Sequence, residues 1–304
     1  MLRISALTKI HPGGVAALKD VSLDITRGMF GLLGPNGAGK STLMKVITGL
    51  LAPTSGTVHL DDVDVVARPE YVHERLGYLP QDFGLYPHLT GRKMLEFFLA
   101  LKGITAKGSA RDLADALLAQ VNLSGAADRK VGTYSGGMRQ RLGLAQAIAG
   151  DPRLVIVDEP TAGLDPQERQ RFYRLLSELG KKSTVILSTH LVEDVAVLCP
   201  RFAVLREGRV VRVTSPGEAR GALDGCIFEG SIEEGDLAAI GDRFTVTQAF
   251  LVEGKMHVRL FLRDEEPPVG FAGVPATLED AFVSMMSDAT DPAAPSGRKL
   301  ARIA

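Results

Sequence analysis

Cysteine, net charge and long apolar runs are all scarce in this chain, and each scarcity excludes something. Two cysteines, Cys199 and Cys226, cannot build a disulfide framework, so free thiols in a reducing compartment are expected. A formal net charge of −1 over 304 residues supplies no basic field to attract nucleic acid, and no nucleic-acid partner is expected. No uninterrupted apolar stretch reaches the roughly 18 residues of a membrane-spanning helix. The opening Met1-Leu2-Arg3-Ile4-Ser5-Ala6 lacks the basic-then-apolar layout of a secretion signal. The expected location is therefore the cytoplasm, with any membrane role reached through a partner. At 45% hydrophobic and 23% charged, the composition is that of a globular protein, and the length suits one large domain plus a smaller one.

What is abundant is glycine in a particular order. Gly34-Pro35-Asn36-Gly37-Ala38-Gly39-Lys40-Ser41-Thr42 fits the phosphate-binding pattern G-x-x-x-x-G-K-[ST] without a mismatch. Met29 to Leu33 reads as a buried strand before it, and Leu43 to Ile47 as the helix after it. In that setting the glycines fold the backbone tightly, so that N–H groups and the helix N-terminus face phosphate oxygens. Lys40 then reaches the β- and γ-phosphates and Ser41 holds Mg²⁺.

The pattern around this loop alternates strands and helices. Residues 1–30 read as β-rich, followed by short strands at Val58-His59-Leu60 and Gly77-Tyr78-Leu79-Pro80. From Thr90 to Leu123 the period becomes helical, through Met94, Leu95, Phe98 and Leu101 and then Leu113, Leu117 and Val121. This block predicts a helical subdomain inserted at about residues 88–150. Leu154-Val155-Ile156-Val157 and Thr184-Val185-Ile186-Leu187 are continuous apolar runs, as strands buried on both faces of a parallel sheet require. They end in Asp158-Glu159 and Ser188-Thr189-His190, so these polar groups are expected at the sheet edge where α/β folds bind ligands.

Residues 216–286 read as a small α+β domain, with a hairpin around Glu253-Gly254-Lys255 and a final helix capped by Thr277 with Asp280 at the capping-box position. Residues 287–304, rich in Pro, Ala and Ser, read as a disordered tail.

A second anion-binding device follows the helical block. Ser135-Gly136-Gly137, in Tyr134-Ser135-Gly136-Gly137-Met138-Arg139-Gln140-Arg141, opens a helix whose apolar side carries Leu142, Ala145, Ile148 and Ala149. Taken alone it is equally an ordinary helix cap. As a phosphate reader it makes sense if two copies meet head to tail, each closing on the γ-phosphate held by the other.

With these motifs in order, the chain resembles the ATP-binding subunit of an ABC transporter over residues 1–215. The resemblance implies an α/β phosphate-loop ATPase core with a β-rich N-terminal part, an inserted helical subdomain and a small α+β C-terminal domain. It implies ATP and Mg²⁺ as cofactors, and a second ATPase subunit and an integral membrane permease as partners. By the same resemblance Gln81 is a Mg²⁺ or water contact, Asp158 a Mg²⁺ ligand beside Ser41, Glu159 the general base and His190 the switch histidine. Tyr134 to Gln140 is the signature, with Ser135-Gly136-Gly137 as its core, and Asp165 belongs to the loop Gly163-Leu164-Asp165; before Pro166 it is also a natural helix cap. Asp82 to Leu89 is the face that receives the permease.

Three departures or local features refine this. Tyr134 stands where a leucine is usual and Met138 where a glutamine is usual, a form similar to the drug-resistance exporter branch. Thr277 to Phe282 also resembles that branch's C-terminal extension. The aromatic that stacks on adenine corresponds to His11, a smaller platform, which leaves selectivity for adenine over guanine less secure. The implied function is ATP hydrolysis that powers export of an unspecified substrate, the chain lying at the inner face of the membrane through its permease. A soluble relative acting on ribosomes, DNA or an iron–sulfur assembly scaffold stays open as the alternative, and so does an importer.

Overall fold

The computed structural model describes residues 1–104 and 110–287, so the expected disordered tail lies, but for Ser287, outside the described residues. The chain opens with β1 (Leu2–Ile10) and β2 (Ala16–Ile25), then β3 (Gly28–Leu33) and α1 (Lys40–Ile47). After these come β4 (Ser55–Leu60), β5 (Val63–Asp64), α2 (Pro69–His73) and β6 (Leu76–Leu79). Three helices follow, α3 (Gly91–Leu101), α4 (Ala110–Gln120) and α5 (Gly136–Ile148). The chain then returns to alternation with β7 (Leu154–Asp158), α6 (Pro166–Lys182), β8 (Thr184–Thr189) and α7 (Val192–Leu198). β9 (Arg201–Arg206), β10 (Arg209–Thr214) and α8 (Pro216–Gly221) lead out of it. The last segment comprises β11 (Ile227–Ile232), α9 (Leu237–Arg243), β12 (Thr245–Val252), β13 (Lys255–Phe261), β14 (Ala272–Gly273) and α10 (Leu278–Met286).

Three sheets result. The central one has six strands in the order β10-β9-β3-β8-β7-β6, parallel from β9 to β6 with β10 antiparallel at the edge. Its continuous apolar runs are explained by two cores, one on each face. Val155, Val157, Val185 and Leu187 point to one, and Leu154, Ile156 and Ile186 to the other. The second sheet, β2-β1-β4-β5, is antiparallel and one-sided. In β1 the inward residues Leu2, Ile4 and Leu7 break strict alternation, and a register shift between Ile4 and Leu7, with Ala6 at φ 48°, restores the inward face.

The helical block has its own core, formed by Met94, Leu95, Leu117, Leu118 and Leu142 among others. The stripe on α3 runs through Leu99, one turn beyond Leu95, rather than through Leu101, which is 68% exposed at the helix end. Tyr134 is buried there, its hydroxyl donating to Ala126 O at 2.7 Å. Gly91 makes room for that ring, since a Cβ at Gly91 would overlap the tyrosine hydroxyl. The third sheet, β12-β13-β11-β14, is antiparallel, its hairpin turning at Glu253 (φ 50°) and Gly254 (φ 80°). Residues of this last segment, Ile227, Phe261, Leu278 and Met285, share one core with Phe172, Leu198 and Phe202. Helix α10 carries both halves of the capping box between Thr277 and Asp280 that the sequence suggests.

Candidate functional site

The glycine-rich loop runs from the C-terminal end of β3 to the first turn of α1, in the middle of the central sheet. Close approach of neighbouring backbone requires its glycines. A Cβ at Gly34 would overlap Leu205 O, and one at Gly39, which caps α1 at φ 105°, would lie 2.5 Å from Ala17 O. Gly208, in the turn between β9 and β10, clamps the loop: its N–H donates to Ala38 O at 2.9 Å and its carbonyl accepts from Lys19 N at 2.7 Å. Pro35, Asn36 and Gly37 remain exposed at the loop's crest, as does Ser41, while Thr42 is half-buried. The first-turn amides of α1 have no acceptor within the helix, which leaves them and the positive end of its dipole facing the same side.

Lys40 is 6% exposed, and its Nζ donates to Gly34 O at 2.6 Å and Pro35 O at 3.1 Å. It also lies 3.8 Å from Glu159 Oε1. Burial pulls the Lys40 ammonium below its usual range, against the opposing pull of Glu159 and Asp158. The carboxylates arrive because β7 and β8 are parallel and in register. Asp158 pairs with Ser188, and Thr189 pairs with Leu33 at the end of β3. Burial pushes the Asp158 carboxyl above its usual range; Glu159 adds to this, and Lys40 and Lys45 oppose it. Glu159 has a left-handed backbone, φ 47°, uncommon for a residue with a side chain, and its N–H donates to Ser188 O at 2.8 Å. That bend turns the carboxylate back to His190, with Oε2 2.7 Å from Nδ1. Lys40, Asp158, Glu159 and His190 therefore meet at one edge of the sheet.

Other expected site residues lie elsewhere. His11 is half-buried in the turn between β1 and β2, on the hairpin whose Ala17 abuts Gly39. Gln81 is exposed two residues beyond the end of β6 and lines a shallow cleft with Phe83, Gly136, Arg139, Gln140 and Gly163. Ser135 caps α5, its hydroxyl accepting from Met138 N at 3.2 Å, with Gly136 exposed and Gly137 buried behind it. Asp165 caps α6 by accepting from Glu168 N at 2.9 Å. Helix α5 packs on β6, three strand positions from β3, which is about 14 Å across a sheet of ~4.8 Å spacing.

Sequence reasoning missed two charged clusters beside this site. Arg141, 6% exposed, donates to Val121 O and Asn122 O and pairs at 3.2 Å with Glu168, whose carboxylate fills the space a Cβ on Gly137 would need. Asp194, fully buried, accepts from Thr161, Tyr173 and Thr189. Its only sequence signal is an acidic residue in the first turn of a helix, which is commonplace.

Comparison with known proteins shows the family of the chain. A family model described as ABC transporter matches residues 18–162. The Nod factor export ATP-binding protein I of Burkholderia orbicola is 37% identical over 267 residues, covering 84% of this chain and 87% of the relative. ABC transporter A family member 4 of Arabidopsis thaliana is 38% identical over 272 residues, 86% of this chain but 27% of that longer protein. Among solved structures, a dimeric bacterial ABC transporter cassette superposes with a TM-score of 0.64 at 30% identity, covering 71% of this chain and 98% of the cassette. The cbiO1 subunit of Clostridium perfringens, part of the cbiONQ transporter complex, gives 0.66 at 30% identity over 71% of this chain and 89% of its own.

Proposed function

The chain belongs to the ATP-binding proteins of ABC transporters, and from that premise we propose that it is the ATPase subunit of an exporter whose permease is a separate membrane protein. It binds ATP and hydrolyses it in support of transport. The observation that carries the residue assignment is the convergence of Lys40, Asp158, Glu159 and His190 beneath the glycine-rich loop. The loop amides and Lys40 hold the phosphates, and exchanging the two carbonyls now bonded to Lys40 for phosphate oxygens costs its ammonium no hydrogen bond. Ser41, Gln81 and Asp158 offer a hydroxyl, an amide oxygen and a carboxylate, a set of hard oxygens suited to Mg²⁺. Burial is what raises the Asp158 carboxyl, and a cation bound there would offset that cost. Mg²⁺ held by these residues would supply positive charge to the phosphates.

Glu159 orients water and takes its proton, and His190, held 2.7 Å away, steadies that carboxylate and donates toward the γ-phosphate. Helix α5 packs on β6, three strand positions from the β3 that leads into the glycine-rich loop, and a second copy supplies Ser135-Gly136-Gly137 to that loop, with Asp165 near the interface. His11 is the platform for the base. Residues 1–215 work as the ATPase and 216–286 as an appended α+β domain.

Asp82 to Leu89, with Tyr86 49% exposed, faces the permease. Among the described residues no helix is long and apolar enough to cross a membrane, so a chain of this kind reaches the inner face of the membrane through that partner. Export is favoured over import by the signature form around Tyr134 and by the relative's export name. The substrate is chosen by the permease.

The test is an affinity pull-down from detergent-solubilised cells with Glu159→Gln loaded with ATP and Mg²⁺. Recovery of an integral membrane protein supports the exporter reading. Recovery of ribosomes, DNA or an assembly scaffold without a membrane protein overturns it and leaves the ATPase chemistry standing.

A further inference from the structure

Directly behind the Glu159–His190 pair, one carboxylate gathers three hydroxyls. Thr161 Oγ1 donates to Asp194 Oδ2 at 2.6 Å, Thr189 Oγ1 to the same oxygen at 3.0 Å, and Tyr173 Oη to Oδ1 at 2.6 Å. Asp194, Thr161 and Thr189 are 0% exposed and Tyr173 is 3% exposed. Thr189 passes the connection on, since its hydroxyl also accepts from Leu191 N at 2.9 Å and so braces both sides of His190. Asp194 on α7 thereby joins the segment after β7, two residues beyond Glu159, to the end of β8, one residue before His190, and anchors both to α6.

A carboxylate without contact with water is costly to keep in a fold, and packing alone would be met by an apolar residue of similar size. This one holds together the two segments whose side chains must stay within 2.7 Å of each other. The left-handed backbone of Glu159 adds to the need, because such a conformation persists only where its surroundings over-determine it. Arg169 pairs with Glu193 at 2.8 Å on the outer side of α7.

We propose that Asp194 is a positioning residue for ATP hydrolysis: through Thr161 and Thr189 it sets the spacing and orientation of Glu159 and His190. It is fully buried, and its bonds to Thr161, Tyr173 and Thr189 do not include the glycine-rich loop. The inference rests on Glu159 and His190 acting as proposed above. It separates hydrolysis from binding, since misplacing a catalytic group by about 1 Å can cost a hundredfold in rate without weakening substrate binding.

The experiment measures kcat and ATP affinity on the full chain for Asp194→Asn, Thr161→Val, Thr161→Ser and His190→Ala, with melting temperatures for each. Thr161→Val keeps shape and loses only the hydroxyl, so it serves if Asp194→Asn folds poorly. The expected result is a kcat lower by about ten- to a hundredfold in Asp194→Asn and Thr161→Val, with ATP affinity within about twofold and recovery in Thr161→Ser. In the His190→Ala background, followed in single turnover, Asp194→Asn adds little further loss, because both changes disable one unit. Lower melting temperatures with kcat intact would overturn the proposal, as would losses that multiply in the double variant. If His190→Ala itself keeps full kcat, the assignment of the site fails and the proposal falls with it.

Discussion

Arg259 is the residue whose loss the last segment should tolerate least. It is 8% exposed and donates from Nη2 to Asp280 Oδ2 at 2.8 Å, from Nε to both Asp280 oxygens at 3.2 Å, from Nη1 to Glu229 at 2.6 Å and from Nη2 to Pro275 O at 2.8 Å. Asp280 is 0% exposed, and it is also the reciprocal member of the cap on α10. Arg259→Met keeps an apolar stem and removes the charge, leaving a buried carboxylate with Thr247, Gln248 and Thr277 as its remaining donors. Breaking one side of a buried ion pair costs about 3–5 kcal/mol. At 1.4 kcal/mol per power of ten, local opening of α10 and β13 should become more frequent by roughly two to four powers of ten.

Hydrogen exchange of the α10 amides, corrected for intrinsic rates, reads this directly. Removing the orphaned charge as well, in Arg259→Met with Asp280→Asn, should cost less than the sum of the two single changes. The pH dependence has a defined sign. Burial alone would raise the Asp280 carboxyl, but bonds from Arg259, Thr247 and Thr277 outweigh it and hold the group below its usual range. Its contribution to stability is therefore present above the ordinary carboxyl range near pH 4 and lost as pH falls through the lower folded value. In Arg259→Met the strongest bond holding the carboxyl down is gone while burial remains, so this acid-sensitive contribution to stability should shrink. Unchanged exchange in α10, or the same pH trend in both proteins, would refute the reasoning.

Four further outcomes follow from the site and its supports. Glu159→Gln should lower kcat by about 10²–10⁴ while a fluorescent ATP analogue still binds, because the change removes a proton acceptor and keeps volume. Gly34→Ala should weaken that binding by roughly fivefold to a hundredfold, on the order of the 1–3 kcal/mol of overpacking, since the new methyl meets the rigid Leu205 carbonyl; equilibrium titration checks it. Asp158→Asn should abolish the dependence of ATP affinity on Mg²⁺, read by titration with and without the ion. Gly91→Ala should destabilise the helical block by about 1–3 kcal/mol in urea melts, and far less with Tyr134→Phe, which removes the hydroxyl the methyl would strike.

Tyr134 also shows why a motif departure can be harmless. The sequence marks it only as an unusual residue before Ser135; the fold shows a phenol seated over Gly91 with its hydroxyl bonded to Ala126 O. Two positions far apart in the chain accommodate each other, and neither reveals this alone. Leu101 failed for the opposite reason. Its apolar side chain fits a helical count, but the last residue of α3 lies past the contact with its neighbours and stays in water.

What the sequence determined by itself is everything written in short-range order. The glycine-rich loop, the buried strands at Leu154–Asp158 and Thr184–Thr189, the caps at Ser135, Asp165 and Thr277, and the placement of polar residues at strand ends all follow from local sterics, periodicity and helix-end chemistry. Tertiary structure alone decided which of these elements meet. The order β3-β8-β7 carries Lys40, Asp158, Glu159 and His190 to one place, while α5 packs on β6, three strand positions from β3. It also made Asp194 and Arg259 organising groups, because a buried charge acquires its role from partners that only the folded chain brings within reach.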